Sequence, residues 1–133
     1  MNHYKIWLDG GSKGNGSDEA IGYGSYYFHN VDKNESAVRR LKFGKGMTNN
    51  EAEWNILISV LEMLLNTSNA DVKLFMDSKL IINQFNKTWK CKDPRMFTFR
   101  EKAHELLSEL ESKNISINLS WLPRENIELV LGH

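Results

Sequence analysis

The chain has 133 residues, 41% of them hydrophobic and 26% charged, with 17 basic and 17 acidic side chains. The length predicts one domain over residues 1–133, and the zero net charge argues mildly against tight, nonspecific nucleic-acid binding. Cys91 is the only cysteine and no apolar run reaches membrane-spanning length, so we expect a cytoplasmic monomer without internal disulfides or a membrane partner.

The first half of the chain predicts three strands and a long helix. YKIWLD, residues 4–9, alternates apolar and polar side chains as a strand does, and a glycine-rich turn follows at 10–17. Two further strands, 21–30 and 36–44, are joined as a hairpin. Residues 48–66 carry two apolar stripes at helical spacing, so we expect a helix that is covered on both sides.

The second half alternates strands with helices. It predicts a strand at 71–77, a short helix at 78–86, a loop ending at Pro94, a helix at about 95–112 and a last strand at 115–121. An antiparallel meander followed by helix-connected strands indicates an α/β fold, with a mixed sheet and helices on both faces. We expect three tryptophans in the core, namely Trp7, Trp54 and Trp121.

Three carboxylates occupy comparable places on these elements. Asp9 ends the first strand, Asp77 ends the fourth, and Glu53 lies one turn into the intervening helix. If the two strands are parallel neighbours, their carboxyl ends bring Asp9 and Asp77 together within reach of Glu53. Clustered carboxylates need cations, and oxygen ligands favour Mg²⁺ or Mn²⁺. Taken singly, each acid is better explained by a structural role, since an Asp at a strand end is usually a turn former or a helix cap.

The motifs around these acids resemble type 1 ribonuclease H. DGGSKGNGS, TNNEAEW and MDSKLIINQFN carry the resemblance, while KCKDPRM and SWLPREN are similar to the compact bacterial and archaeal branch without the basic handle region. The resemblance extends in order from Tyr4 to Asn126. It implies a ribonuclease H-like fold, with a five-stranded mixed sheet in the order 3-2-1-4-5 and the second strand antiparallel to the others.

The resemblance also implies an activity: endonucleolytic hydrolysis of the RNA strand of RNA–DNA hybrids by two Mg²⁺ ions, leaving 5′-phosphates. Mn²⁺ is the expected substitute. Asp9, Glu53 and Asp77 match three of the family's four metal-binding carboxylates. Glu51 is expected to point elsewhere as a solvated acid of the first helical turn.

Several further residues match positions that contact the hybrid in this family. The expected substrate-binding residues are Gly10, Gly11, Asn15, Thr48, Asn49, Asn50 and Gln84. Helix capping explains Thr48 and Asn49 equally well, and both roles can coexist. Some lysines could form a phosphate-facing set, although a solvated surface role is favoured for each one alone: Lys13, Lys45, Lys87, Lys90 and Lys92. Trp89 lies in the same lysine-bearing loop and could stack on a sugar or pack at the rim of the core.

The end of the chain departs from the family pattern. The fourth carboxylate is expected four residues after Asn126, where this chain has Val130, and we expect the final helix to be truncated or missing. Glu128 is the nearest acid and could replace the missing ligand only outside a regular helix. His133 is terminal, and we expect it to be frayed.

These departures predict weakened activity that favours Mn²⁺. The alternative is a catalytically impaired module on the same fold that binds hybrids or a protein. A 3′–5′ exonuclease would need a paired-acid DxE motif, but Gly10 and Gly11 follow Asp9.

Overall fold

The computed structural model describes residues 1–14, 17–86 and 90–132. Its strands are β1 (Asn2–Lys13), β2 (Ile21–Asn30), β3 (Glu35–Lys45), β4 (Ala70–Met76) and β5 (Ile115–Trp121). Its helices are α1 (Asn49–Leu64), α2 (Lys79–Phe85), α3 (Pro94–Ser112) and α4 (Arg124–Leu131). The predictions made for four residues lie outside the described part of the chain: Asn15, Lys87, Trp89 and His133.

The strands form a mixed sheet in the order β3-β2-β1-β4-β5, which confirms the predicted fold class. β2 runs antiparallel to β1 and β3, whereas β4 is parallel to both β1 and β5. Trp7 of β1 is in register with Phe75 of β4, so the carboxyl ends of these two strands lie side by side. The topology therefore brings Asp9 and Asp77 to the same end of the sheet, as predicted.

β1 is longer than its apolar alternation suggests. The predicted turn begins at Gly10, but Gly10 pairs with Gly24 and the ladder continues to the pair of Lys13 with Ile21. Pairing with β2 satisfies the backbone groups of these residues that face β2, which outweighs the weak strand preference of glycine. β1 therefore continues four residues past Asp9, and two of them, Gly11 and Lys13, lie on the same face of the sheet as Asp9.

α1 lies between the sheet and α3, as its two apolar stripes predict. Thr48 caps the helix, and its side chain accepts a hydrogen bond from the Glu51 N–H while Glu51 returns one to the Thr48 backbone. This capping box satisfies amide groups that the first helical turn leaves without partners. The buried residues of α1 belong to both stripes: Ala52, Trp54, Ile56, Leu57, Ile58, Val60, Leu61 and Leu64.

The tryptophans divide between core and surface. Trp54 is fully buried, as predicted, and Trp7 is half-buried with its ring packed near Tyr27 and Phe75. The prediction for Trp121 is wrong, because its side chain is 43% exposed. Trp121 ends the edge strand β5, and the Lys79 ammonium lies 4.6 Å from the ring centroid.

The chain forms a short final helix, α4, of 8 residues. Ile127 and Leu131 are buried on its inner face, which packs on β1, β2 and β4. Gly132 ends the helix in the left-handed conformation, and the Arg40 side chain donates a hydrogen bond of 3.2 Å to the Leu131 carbonyl. Within the described residues, no helix has the length and apolar character needed to cross a membrane.

Candidate active site

Three acidic side chains meet where β1 and β4 end. Asp9 lies within β1 and is only 8% exposed, while Asp77 directly follows β4 and its side chain is 16% exposed. Glu53 comes from the first turns of α1 and is half-buried. A parallel strand pair and a covering helix therefore bring together the three carboxylates expected from the sequence.

A glycine allows α1 to approach β1 at this point. A Cβ atom on Gly10 would lie 2.7 Å from the Ala52 carbonyl oxygen and 2.8 Å from the Glu53 Cα. These are backbone atoms, which cannot rotate away as the end of a side chain can. The absence of a side chain at Gly10 thus fixes the distance between the helix that carries Glu53 and the strand that carries Asp9.

Gly10→Ala is expected to destabilise the protein by about 1–3 kcal/mol, because the added methyl group must push α1 away from β1. Urea unfolding measures the change. Gly44→Ala is the matched control, since a Cβ at Gly44 has no atom within 4 Å, and we expect its effect to stay within about 1 kcal/mol. Equal stabilities of the two variants would contradict this account of Gly10.

The surroundings of Glu53 disfavour the charged form of its carboxyl group. Burial, followed by the charges of Asp77 and Asp9, raises the pKa of Glu53 from 4.5 to about 7, although a hydrogen bond with Ser78 and the charge of Arg124 act in the opposite direction. Its Oε2 atom is buried and has no hydrogen-bond partner among the described residues. This oxygen is therefore better suited to a cation than to its present surroundings.

Arg124 supplies positive charge at the edge of the cluster. Its Nη1 atom lies 3.8 Å from Asp77 Oδ2, and its Nε–H donates a 2.8 Å hydrogen bond to Glu128 Oε1. This bond and the charges of Asp9 and Asp77 raise the pKa of Arg124. Glu128 therefore acts on the cluster through Arg124, while Val130 occupies the position at which the resemblance places a fourth acid.

The donor set fits hard divalent cations. Asp9, Glu53 and Asp77 offer only oxygen atoms, and the orphaned Glu53 oxygen lies beside two other acids. As they stand, no group of three or more His, Cys, Asp or Glu residues in the described ranges is arranged to hold an ion. The fit to a cation therefore rests on the oxygen donors and on the orphaned Glu53 oxygen.

The RNase H family model matches residues 1–124. The chain belongs to the RNase H family. It is 32% identical over 119 residues to the bifunctional protein Rv2228c of Mycobacterium tuberculosis, a match that covers 90% of this chain and 31% of that protein. It is 31% identical over 110 residues to ribonuclease HI of Halobacterium salinarum, covering 83% of this chain and 53% of that protein. The chain thus spans between about a third and a half of the length of these curated relatives.

Solved RNase H structures confirm the fold. The crystal structure of RNase H1 from Halobacterium salinarum superposes with a TM-score of 0.80 at 26% identity, covering 95% of this chain and 89% of that one. LC11-RNase H1 in complex with an RNA/DNA hybrid superposes with a TM-score of 0.79 at 25% identity, covering 92% and 87%. The sheet order is therefore that of an RNase H-like domain.

The residues expected to bind substrate fall into different environments. Asn49 and Asn50 are exposed at the start of α1, and Asn49 Oδ1 accepts a 2.7 Å hydrogen bond from the Ser12 N–H. Thr48 is occupied in the capping box. Gln84 is 5% exposed and accepts a hydrogen bond from the Trp54 indole, so in this structure it braces the interior and does not face solvent.

The prediction of a solvated Glu51 is wrong. Its side chain is only 15% exposed, because it caps α1 and lies 3.4 Å from the guanidinium of Arg95 on α3. Ser78 was missed by sequence reasoning, although it directly follows Asp77. Its hydroxyl caps α2 and its hydrogen bond with Glu53 lowers the pKa of that acid, so one side chain joins the helix start to the acidic cluster.

For the hybrid cleavage proposed below, Glu128→Gln is expected to keep a rate within about tenfold of the parent, because Glu128 contacts Arg124 and stands on a regular helix. Loss of a true metal ligand would remove several kcal/mol of transition-state stabilisation, or about a hundredfold or more in rate. Initial rates in Mg²⁺ and Mn²⁺ measure the difference. A hundredfold loss that exceeds the effect of Arg124→Gln would instead make Glu128 the fourth ligand.

Proposed function

We propose that this domain hydrolyses the RNA strand of RNA–DNA hybrids endonucleolytically and leaves 5′-phosphate ends. The observation that carries the proposal is the meeting of Asp9, Glu53 and Asp77 at the ends of β1 and β4, in a chain of the RNase H family. The hybrid seen with LC11-RNase H1 supports the choice of substrate. We place the domain, residues 1–133, in the compact branch without the handle, since only residues 86–93 separate α2 from α3.

The proposed chemistry depends on a cluster of negative charge that attracts cations. Two divalent ions, Mg²⁺ or Mn²⁺, held by Asp9, Glu53 and Asp77 would supply the positive charge that activates water and stabilises the leaving 3′-oxygen. The high pKa of Glu53 means that its proton must leave before it serves as a full ligand. Arg124, beside Asp77, adds a fixed positive charge at the edge where a phosphate would enter.

The start of α1 supports recognition of a hybrid. Asn49 and Asn50 are exposed there, and their amide groups can donate to and accept from groove edges and 2′-hydroxyls, which distinguish RNA from DNA. The hydrogen bond between the Asn49 amide oxygen and Ser12 N–H holds this helix end against β1. Substrate contacts and the acidic cluster would thus share one rigid frame, the β1–α1 pair.

A second candidate is a hybrid-binding or protein-interaction module with impaired catalysis. One observation favours it: Val130 replaces the expected fourth acid, and the nearest acid, Glu128, is engaged by Arg124. This candidate has the same fold and the same substrate surface. It differs from the enzyme only in the turnover of the bound hybrid.

A substrate panel tests the proposal. The same labelled RNA is presented as a hybrid, as a single strand and as an RNA duplex, with Mg²⁺, Mn²⁺ or EDTA, and the product ends are mapped. We expect cleavage of the hybrid alone, faster in Mn²⁺ and absent in EDTA, with 5′-phosphates. Binding of the hybrid without any cleavage in either metal would favour the second candidate.

A further inference from the structure

A pocket of about 590 Å³ lies on the sheet beside the last turn of α4. Its lining crosses three strands and includes Lys13, Ile21, Tyr23, Ser25, Arg40 and Lys42. Arg40 also donates to the carbonyl of Leu131, so the end of α4 borders this sheet-face pocket. Of these residues, only Lys13 was predicted from the sequence to face a phosphate, because the others come together only through strand pairing.

The sheet-face pocket lies next to the acidic cluster, because Ser25, which lines it, is the strand partner of Asp9. Alternate residues of a strand face the same side, so Asp9, Gly11 and Lys13 share one face of β1. Asp9 is paired with Ser25 and Gly11 with Tyr23, both of which line or border the pocket. Lys13 lies about 14 Å along the strand from Asp9. A nucleic-acid strand that extends from Asp9 toward Lys13 would therefore reach the pocket.

The charge of the sheet-face pocket is positive, although the chain as a whole is neutral. Lys13, Arg40 and Lys42 are exposed along it, and none of them has an acidic partner among the ion pairs of the described residues. Between them, Ile21 is 41% and Tyr23 37% exposed. Cations around an exposed aromatic ring are the features that bind a phosphodiester backbone together with a sugar or base.

We propose that the sheet-face pocket binds the backbone of the RNA strand on one side of the cut. The inference rests on the proposed function and names a second contact region of the same substrate. Lys13 and Lys42 contact phosphates, and Tyr23 packs on a sugar or base. The ring is held in place because it lies over Gly11, where a Cβ would be only 2.6 Å from the Tyr23 hydroxyl.

Edge-strand protection alone does not account for these residues. β3 is an edge strand, and basic side chains on such strands prevent pairing with other chains. Arg39 serves that purpose equally from the opposite face of β3. Lys13, however, lies on β1 and not on the edge strand, and it lines the same pocket as Lys42. A binding surface therefore accounts for both lysines, whereas protection of the edge accounts only for those on β3.

The test compares two charge-matched pairs. The first double variant, Lys13→Ser/Lys42→Ser, removes the two pocket lysines. The control, Lys5→Ser/Lys73→Ser, removes two exposed lysines that pair with each other at the other end of β1 and β4. Hybrid affinity is measured against salt in Mg²⁺, on an Asp77→Asn background that keeps the RNA intact. We expect the slope of log affinity against log salt to fall by about one for each pocket lysine, with the control pair unchanged.

Shortened hybrids locate the contact. Substrates are trimmed either 5′ or 3′ of the cut, and we expect the slope difference to vanish when one of these sides is removed. Equal slopes for the two pairs, or a difference that survives both trimmings, would overturn the assignment of the pocket to the RNA strand beside the cut. Equal slopes would leave an acidic protein surface as the alternative occupant. Wild-type cleavage with equal slopes removes only this inference, whereas no cleavage by the wild type removes the proposed function.

Discussion

Asp9→Asn and Asp77→Asn are expected to reduce cleavage of the hybrid by a hundredfold to a thousandfold or more in Mg²⁺ and in Mn²⁺. Each substitution keeps the shape of the side chain but removes a negative charge that the proposed cations require. Several kcal/mol of transition-state stabilisation correspond to this fall in rate. Asp9 is the more buried of the two acids, so fewer solvent molecules can replace its charge, and we expect the larger loss there.

The matched control is Asp71→Asn. Asp71 lies at the opposite end of β4 and accepts a hydrogen bond of 3.2 Å from Ser116, so its loss tests the effect of a changed charge far from the cluster. Single-turnover rates, with hybrid binding measured in parallel, separate loss of chemistry from loss of folding. If the parent cuts no faster than Asp9→Asn and Asp77→Asn in either metal, the domain is a binding module and the enzyme is excluded.

The sequence predicted the parts of this site that depend on local patterns. Asp9 and Asp77 come together because a meander followed by a helix crossover makes β1 and β4 parallel neighbours, and both features are visible as periodicity. The place of Glu53 follows from helix spacing once the cap at Thr48 is identified. In these cases one element, or two adjacent ones, determines the result.

Features that depend on three or more elements could not be predicted in the same way. Glu51 is half-buried because Arg95 arrives from α3, and Trp121 is exposed because β5 is an edge strand. The sheet-face pocket requires the registers of three strands and the end of α4. A periodic pattern identifies the buried face of a strand but not which neighbours will cover it.

Glu53→Gln is expected to stabilise the metal-free protein at pH 7.5 and above. A carboxyl group whose pKa is about 7 in the folded state and 4.5 when unfolded binds its proton more tightly in the folded state. The stability that Glu53 itself contributes is therefore greatest below pH 4.5, and it falls by about 3 kcal/mol as the pH rises through 7. The amide in Glu53→Gln has no charge to lose, so the variant escapes this fall.

Urea unfolding in EDTA between pH 4.5 and 8 measures the effect. The control is Glu62→Gln, on the exposed side of α1, which should change the free energy of unfolding by about 0.5 kcal/mol or less. Addition of Mg²⁺ should stabilise the parent more than Glu53→Gln at pH 7.5, because a cation relieves the same repulsion that the substitution removes. Parallel pH curves for the parent and Glu53→Gln would show that Glu53 is not strained. The orphaned oxygen would then carry no argument for a metal, and the fit of the cluster to cations would rest on its composition alone.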